Sequence, residues 1–241
     1  MRARAGRRLI IPEVVQTSAM DCGPASLKCL LQGFGVDVSY GRLREACQTD
    51  VDGTSIDTME EVAVQLGLEA EQVMVPLDHV LLPEAAALPA IVVVRLPSGL
   101  THFVVAWRQH GKLVQLMDPG TGRRWVTGRT FLDELYIHQM PVPAADWREW
   151  AGSGEFTAPL ARRLRGIGLR EEGDRLIESA LEDPSWRAIA SLDAATRLSD
   201  TLVRAGGLSS GGEARSVLEQ LAEGAREQAL EPEPAVPQAY W

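Results

Sequence analysis

The sequence is poor in cysteine and histidine, and neither is spaced as a metal site or a disulfide framework requires. Three cysteines in 241 residues, an odd number with no close pairing, fit a reducing compartment better than a secreted scaffold. No C-x-x-C or H-x-x-x-H spacing occurs, so neither a metal nor another cofactor is expected. Long apolar runs are also missing: nothing approaches the roughly 18 consecutive apolar residues of a membrane span. The apolar "LII" that follows the basic "MRARAGRR" stops at Pro12, far short of the roughly 7 to 15 residues of an export signal, so a cytoplasmic location is expected. There is no G-x-x-x-x-G-K-[ST] phosphate loop. A net charge of −9, with no basic stripe beyond the first eight residues, argues against a nucleic-acid partner.

What is present reads as an ordinary globular chain, 45% hydrophobic and 24% charged. The first 140 or so residues have an α+β pattern. Apolar residues at helical spacing from Cys22 to Phe34 predict one helix, with Gly33 and Gly35 as its stop. A second is expected over Arg42 to Cys47. A third lies in "DGTSIDTMEEVAVQLGLEA", capped by Ser55 or Asp57 and facing the core with Met59, Val62, Ala63 and Leu66. The period then shortens. "EQVMVP", "LPAIVVVRL", "THFVVAWRQ", "KLVQLMDP" and "RRWVTG" are strand-like runs separated by Pro and Gly turns, an expected antiparallel meander closed by a short helix in "TFLDELY". Residues 143–155 are Pro-, Gly- and Trp-rich and read as a linker. Residues 156–230 read as three or four amphipathic helices, and 231–241 as an extended linker expected to continue in a longer chain.

One constellation carries chemistry. A thiol becomes a nucleophile when its pKa falls, and a helix N-terminus or an imidazolium lowers it. Cys22, before Gly23 and Pro24 at a helix start, meets the first condition. Of the four histidines, His79 lies in a loop, His110 in a turn and His138 past the last short helix; His102 alone sits on an apolar strand, at its start. Asp118 ends the following strand. In an antiparallel hairpin these two residues share one end of the sheet, so Asp118 can hold the ring of His102 and leave its other nitrogen for the thiol. Gln16, six positions before Cys22, offers an amide that can join the Cys22 N–H in holding an oxyanion.

The stretches "QTSAMDCGPASL", Gly35, Tyr40 to Leu43, "DGTSI", "LGL", "LPAIV", "THFVV" and "MDPGTG" resemble the C39 peptidases, the bacteriocin-processing domains of peptidase-containing ABC transporters. The resemblance covers about residues 11 to 140. It implies a papain-like fold, with a helical N-terminal half and an antiparallel C-terminal sheet, in a peptidase domain spanning 11–142 between a basic tail (1–10) and the linker (143–155). It assigns Cys22 as nucleophile, His102 as base, Asp118 as orienting residue and Gln16 as oxyanion donor. It further implies a leader-bearing precursor peptide as substrate, cut after a double-glycine-type motif. The partners it implies are the membrane and ATPase domains of an ABC transporter, in the same longer chain or separate, which would hold the domain at the cytoplasmic face of the bacterial plasma membrane.

Each residue also has a plainer reading. Cys29 and Cys47 read as small core residues, Asp118 before Pro-Gly as a turn former, and Gly53 to Ser55 as a helix cap. The competing functions are a peptidase-like module that binds a leader or cargo without cutting it, and another thiol acyl-transfer enzyme such as a glutaminase. The presence of Cys22 speaks against the first, and the absence of a strand immediately before Cys22 against the second.

Overall fold

The computed structural model describes residues 7–51, 53–138, 141–227 and 235–237. Most of the expected basic tail (1–6) and much of the expected C-terminal linker (231–234 and 238–241) lie outside the described residues. The chain forms two units. One takes in the described residues of Met1–Leu81 and Ala86–Ile137, the other those of Leu82–Ala85 and His138–Trp241.

The first unit is built around α1 (Cys22–Gly33). Pro24 falls in its first turn, where a backbone N–H has no helical partner to lose. The helix is buried on two sides. Ala25 and Cys29 pack with Ile11, Val14, Val105, Trp107 and Met117. Leu27 and Leu31 meet Leu43 of α2 (Tyr40–Ala46) and Met59, Val62 and Ala63 of α3 (Ile56–Gln65). Of the two caps expected for α3, Ser55 is the one used: its hydroxyl accepts the Thr58 N–H at 3.2 Å.

The sheet is the expected meander: β1 (Ala90–Arg95), β2 (Thr101–His110), β3 (Leu113–Asp118) and β4 (Gly122–Thr127), antiparallel in that order. Along β2, Val105 and Trp107 face α1. Val104 and Ala106 face the opposite way, into a core shared with Val94, Val114, Leu116 and Phe131 of α4 (Gly128–Glu134). Burial on both faces explains why "FVVAW" is continuously apolar instead of alternating.

Two expectations are corrected in this unit. "EQVMVP" forms no strand, and Val73 and Met74 are exposed. The outer edge of β1 is engaged by the segment after α4, where Tyr136 N–H donates to Val93 O at 2.9 Å and Leu135 bridges Val94. Residues 7–10 are docked and not a free tail. Arg8 N–H donates to Gly33 O at 3.0 Å, the Trp107 indole N–H donates to Arg8 O at 3.0 Å, and the Arg7 guanidinium lies 4.6 Å from the Trp107 ring centroid. The strap continues over the sheet: Ile11 N–H donates to the buried Gln115 side chain at 2.9 Å, and Arg123 donates to Ile11 O at 2.9 Å.

The second unit is helical, with α5 (Ala144–Ala151), α6 (Gly154–Gly166), α7 (Glu171–Glu182), α8 (Arg187–Arg204) and α9 (Gly212–Glu227). A two-residue ladder pairs β5 (Val142–Pro143) with β6 (Ala235–Val236). The stretch 143–155, expected as a linker, is therefore mostly helix. Its Trp147 is buried against Phe156 and Trp186, with ring centroids 5.4 and 6.4 Å apart, because those aromatics need a common apolar interior. Asp193 is wholly buried on α8 and is paired with Arg163 at 2.9 Å and Arg197 at 2.7 Å.

Gly33 ends α1 directly against the Trp107 ring, so an added Cβ would overlap it. The indole has no room to retreat, being bonded to Arg8 and packed edge-on to Phe34 at 5.4 Å. Gly33→Ala is expected to lower stability by about 1–3 kcal/mol, read as a fall in Tm and in the denaturant midpoint; an unchanged midpoint would mean that the ring is not fixed.

Candidate active site

Cys22 lies in the first turn of α1, where the helix dipole favours negative charge. Ser26, four residues on and so on the same helical face, is fully buried and donates its hydroxyl to Phe103 O of β2 at 3.3 Å. That bond aligns the helix with the strand one residue beyond His102. The alignment brings the thiol to the imidazole, and His102, with the main chain at Phe103 and Gly23, favours its thiolate.

On the sheet, β1 and β2 pair Val94 with His102, and β2 and β3 pair Val105 with Met117. Asp118 follows Met117 at the same end as His102. His102 Nε2 and Asp118 Oδ1 stand 2.8 Å apart, which leaves the ring's Nδ1 for the thiol. The same Oδ1 accepts the Gly120 N–H at 2.8 Å, so the turn that follows β3 holds the carboxylate in place. A side chain at residue 120 would intrude, since a Cβ there would sit 3.3 Å from Asp118 Oδ1.

The charges of the three groups support one another. For Cys22, burial acts most strongly and disfavours the thiolate, but the bond to His102, the main chain of Phe103 and Gly23 and the imidazolium's charge outweigh it, so the thiol lies below its ordinary value of 9.0. His102 is pushed up to about 9, first by its bond to Asp118 and then by its bond to Cys22. Asp118 is opposed by burial yet pulled down to about 2 by His102 and the Gly120 N–H. The other cysteines go the opposite way. Burial alone raises Cys29 to about 12 and Cys47 to about 11, which accords with their place in the core.

Gln16 is brought to the same region by its backbone. Its N–H donates to Pro119 O at 2.9 Å, next to the turn that carries Asp118. Its side-chain Nε2 donates to Ala19 O at 3.4 Å, while Oε1 is buried without a hydrogen-bond partner among the described residues. An amide has two N–H donors, so one remains to give. The other histidines stand apart from this group: His79 is buried in a short 3-10 turn (Leu77–His79), and His110 ends β2 beside Trp125, with ring centroids 5.2 Å apart.

Sequence reasoning missed the surroundings of Asp21. This wholly buried carboxylate is ion-paired through Oδ1 with Arg44 Nε at 2.9 Å, and its Oδ2 accepts from the Thr17 hydroxyl at 3.0 Å and from the Tyr40 hydroxyl at 3.4 Å. The available signal was the aspartate just before a helix, with a threonine four residues earlier. Among the described residues no cluster of His, Cys, Asp and Glu is placed to hold a metal ion.

A helix that begins with a thiol, packed on an antiparallel sheet that supplies an imidazole backed by a carboxylate, defines a papain-like cysteine peptidase. The chain belongs to the peptidase C39 family, whose model matches residues 11–136. It is 27% identical over 136 residues to the lactococcin-G-processing and transport ATP-binding protein LagD of Lactococcus lactis subsp. lactis, covering 56% of this chain and 19% of that one. It is 30% identical over 154 residues to the transport/processing ATP-binding protein ComA of Streptococcus pneumoniae, covering 64% of this chain and 19% of that one. The chain thus spans about a fifth of the length of these curated relatives. A similar solved structure is that of a double glycine motif protease from an AMS/PCAT transporter in complex with the leader peptide. It is 24% identical with a TM-score of 0.45, the match covering 56% of this chain and 89% of that one.

The opposed shifts have a direct readout. At neutral pH, iodoacetamide is expected to label Cys22 and spare Cys29 and Cys47, with sites assigned by peptide mass spectrometry. Removing the imidazole in His102→Ala should slow labelling by about 10-fold or more at that pH and move the midpoint of the labelling profile upward, as for any thiolate that loses a neighbouring cation. Identical profiles for the two proteins would show that His102 does not ionise the thiol.

Proposed function

We propose that this chain is a cysteine endopeptidase that removes the leader of a bacteriocin or similar ribosomal peptide precursor after a double-glycine-type motif. The observation that carries the reading is the placement of Cys22 at the start of α1, aligned by Ser26 with the strand whose His102 Nε2 stands 2.8 Å from Asp118 Oδ1; the lowered thiol and raised imidazole accord with it. Family membership and the processing functions named in the relatives support the substrate class.

In this reading Cys22 Sγ, as thiolate, adds to the carbonyl carbon of the scissile bond. The oxygen becomes an oxyanion held by the Cys22 N–H and the Gln16 amide. Imidazolium His102 gives its proton to the departing amine nitrogen as the C–N bond breaks, which leaves a thioester on Cys22. His102, now neutral, takes a proton from a water molecule that adds to the thioester; the second oxyanion collapses, the leader leaves as a carboxylic acid and the thiolate–imidazolium pair is restored. Asp118 stays ionised throughout, orienting the ring and stabilising its charge.

The precursor is exported, in the same proposal, by an ABC transporter whose membrane and ATPase domains belong to the same longer chain or to a separate one. No helix among the described residues is long and apolar enough to cross a membrane. The transporter would hold the peptidase at the cytoplasmic face.

The test is incubation with a synthetic precursor carrying a double-glycine leader, followed by mass spectrometry. Cys22→Ala should abolish the cut while circular dichroism stays unchanged. Cleavage by Cys22→Ala at the wild-type rate would overturn the mechanism, and wild-type protein that binds the leader without cutting it would favour the binding-module alternative. His102→Ala should cost about 100- to 10,000-fold in kcat, and Asp118→Ala less.

The pH dependence follows from the same groups. The productive thiolate–imidazolium pair exists above the lowered value of Cys22 and is lost as pH rises through the raised value of His102, about 9. A bell-shaped kcat/KM profile with its basic limb near pH 9 is therefore expected. Asp118→Asn removes the charge that raises His102 and should move that limb to lower pH; a limb that stays in place would show that Asp118 does not govern the proton on the ring.

A further inference from the structure

Asp21 occupies the N-cap position of α1, immediately before Cys22, and makes no side-chain capping bond to the helix. An aspartate there ordinarily turns its carboxylate onto the first free N–H groups, which stabilises the helix start. Here that contribution is forgone, and the buried charge is used elsewhere. Arg44 and Tyr40 reach it from α2, and Thr17 from the segment that leads into α1, at 2.9, 3.4 and 3.0 Å. A second strand of the network returns to the same segment, where Thr17 N–H donates to the Tyr40 hydroxyl at 3.4 Å. A carboxylate with no solvent exposure is retained in a fold only when it is paired and hydrogen-bonded, and removing its partners is costly. The pairing observed joins α2, the start of α1 and the residue after Gln16.

The short segment from Gln16 to Cys22 is thus fixed at both ends. Its front is held by the Gln16 N–H on Pro119 O at 2.9 Å, and its rear by Asp21. The contacts that ionise the thiol, from His102, Phe103 and Gly23, involve none of Asp21, Arg44, Tyr40 or Thr17. We propose that Asp21, with Arg44, Tyr40 and Thr17, forms a positioning cluster that sets Gln16 relative to the Cys22 N–H. The cluster preorganises the oxyanion hole and leaves the reactivity of the thiol unchanged. This inference rests on the reading of Gln16 as an oxyanion donor.

Two reactions of one cysteine separate the roles. Iodoacetamide is displaced at a saturated carbon by the thiolate, with iodide leaving and no oxyanion formed at the reacting carbon, so it reports the thiol–imidazole pair alone. Leader cleavage needs that pair and the oxyanion hole together. Thr17→Val and Arg44→Gln are expected to lower kcat for cleavage by about 10- to 100-fold, the order of loss that a small misplacement in a site produces. KM should be nearly unchanged, and the rate of Cys22 alkylation should stay within about twofold of wild type, a change worth less than about half a kcal/mol. Gln16→Ala should lower kcat by about 100-fold or more, and adding Arg44→Gln to it should cost nothing further, because residues that act as a unit are not additive. Arg44→Lys, which keeps the charge, should recover part of the loss. Asp21→Asn, compared after its Tm has confirmed folding, should behave like Arg44→Gln.

Alkylation that falls in step with cleavage would overturn the proposal in favour of a general structural role. Losses that multiply in the double variant would overturn it by showing an effect independent of Gln16. If Gln16→Ala cleaves at the wild-type rate, the reading of Gln16 fails and the inference with it. If Gln16→Ala is slow but Thr17→Val and Arg44→Gln are not, the positioning cluster fails alone.

Discussion

The hydrogen bond from Ser26 to Phe103 is the constraint on which the site depends, because it sets a helix and a strand from distant parts of the chain in one alignment. Everything chemical is placed from there. Cys22 lies one helical turn before Ser26, and His102 one residue before Phe103, so this contact directs the thiol toward the ring. The apolar packing on both flanks of α1 prevents the helix from sliding, and the antiparallel pairing of β2 with β3 then carries Asp118 to the far side of the imidazole. The fold supplies a frame whose tolerance is that of a close-packed interior.

The same frame sorts the three cysteines. All are free and none is fully exposed, yet only Cys22 has a cation beside it. Cys29 faces the sheet from α1 and donates its thiol to Pro12 O at 3.2 Å, and Cys47 lies among the side chains of α2 and α3. Their burial raises them, whereas the burial of Cys22 is outweighed by its polar surroundings. Reactivity here belongs to the environment and not to the residue type.

Much of this was legible in the sequence. The antiparallel meander could be read from Pro and Gly punctuation, and the singling out of His102 followed from its being the one histidine on an apolar run. The pairing of His102 with Asp118 needed only the rule that a hairpin returns to the end it left. Three things were not legible. That the segment around Tyr136, and not "EQVMVP", engages the edge of β1 depends on contacts between distant parts of the chain. The helix over Ala144–Ala151 looked like a linker because its Pro and Gly neighbours mask a tryptophan whose partners, Phe156 and Trp186, come later. The role of Asp21 was hidden because an aspartate before a helix reads as a cap, and only the three-dimensional neighbours reveal that its carboxylate points elsewhere.

The bond from the Gln16 N–H to Pro119 O has a consequence for how the molecule breathes. One residue beyond Pro119, Gly120 grips the carboxylate of Asp118, and six residues beyond Gln16 stands the thiol. Any opening that lifts the hairpin tip therefore drags the glutamine with it, and any excursion of the segment before α1 tugs on the aspartate. The turn and the segment are tied at one point, so neither carries its candidate residue independently of the other.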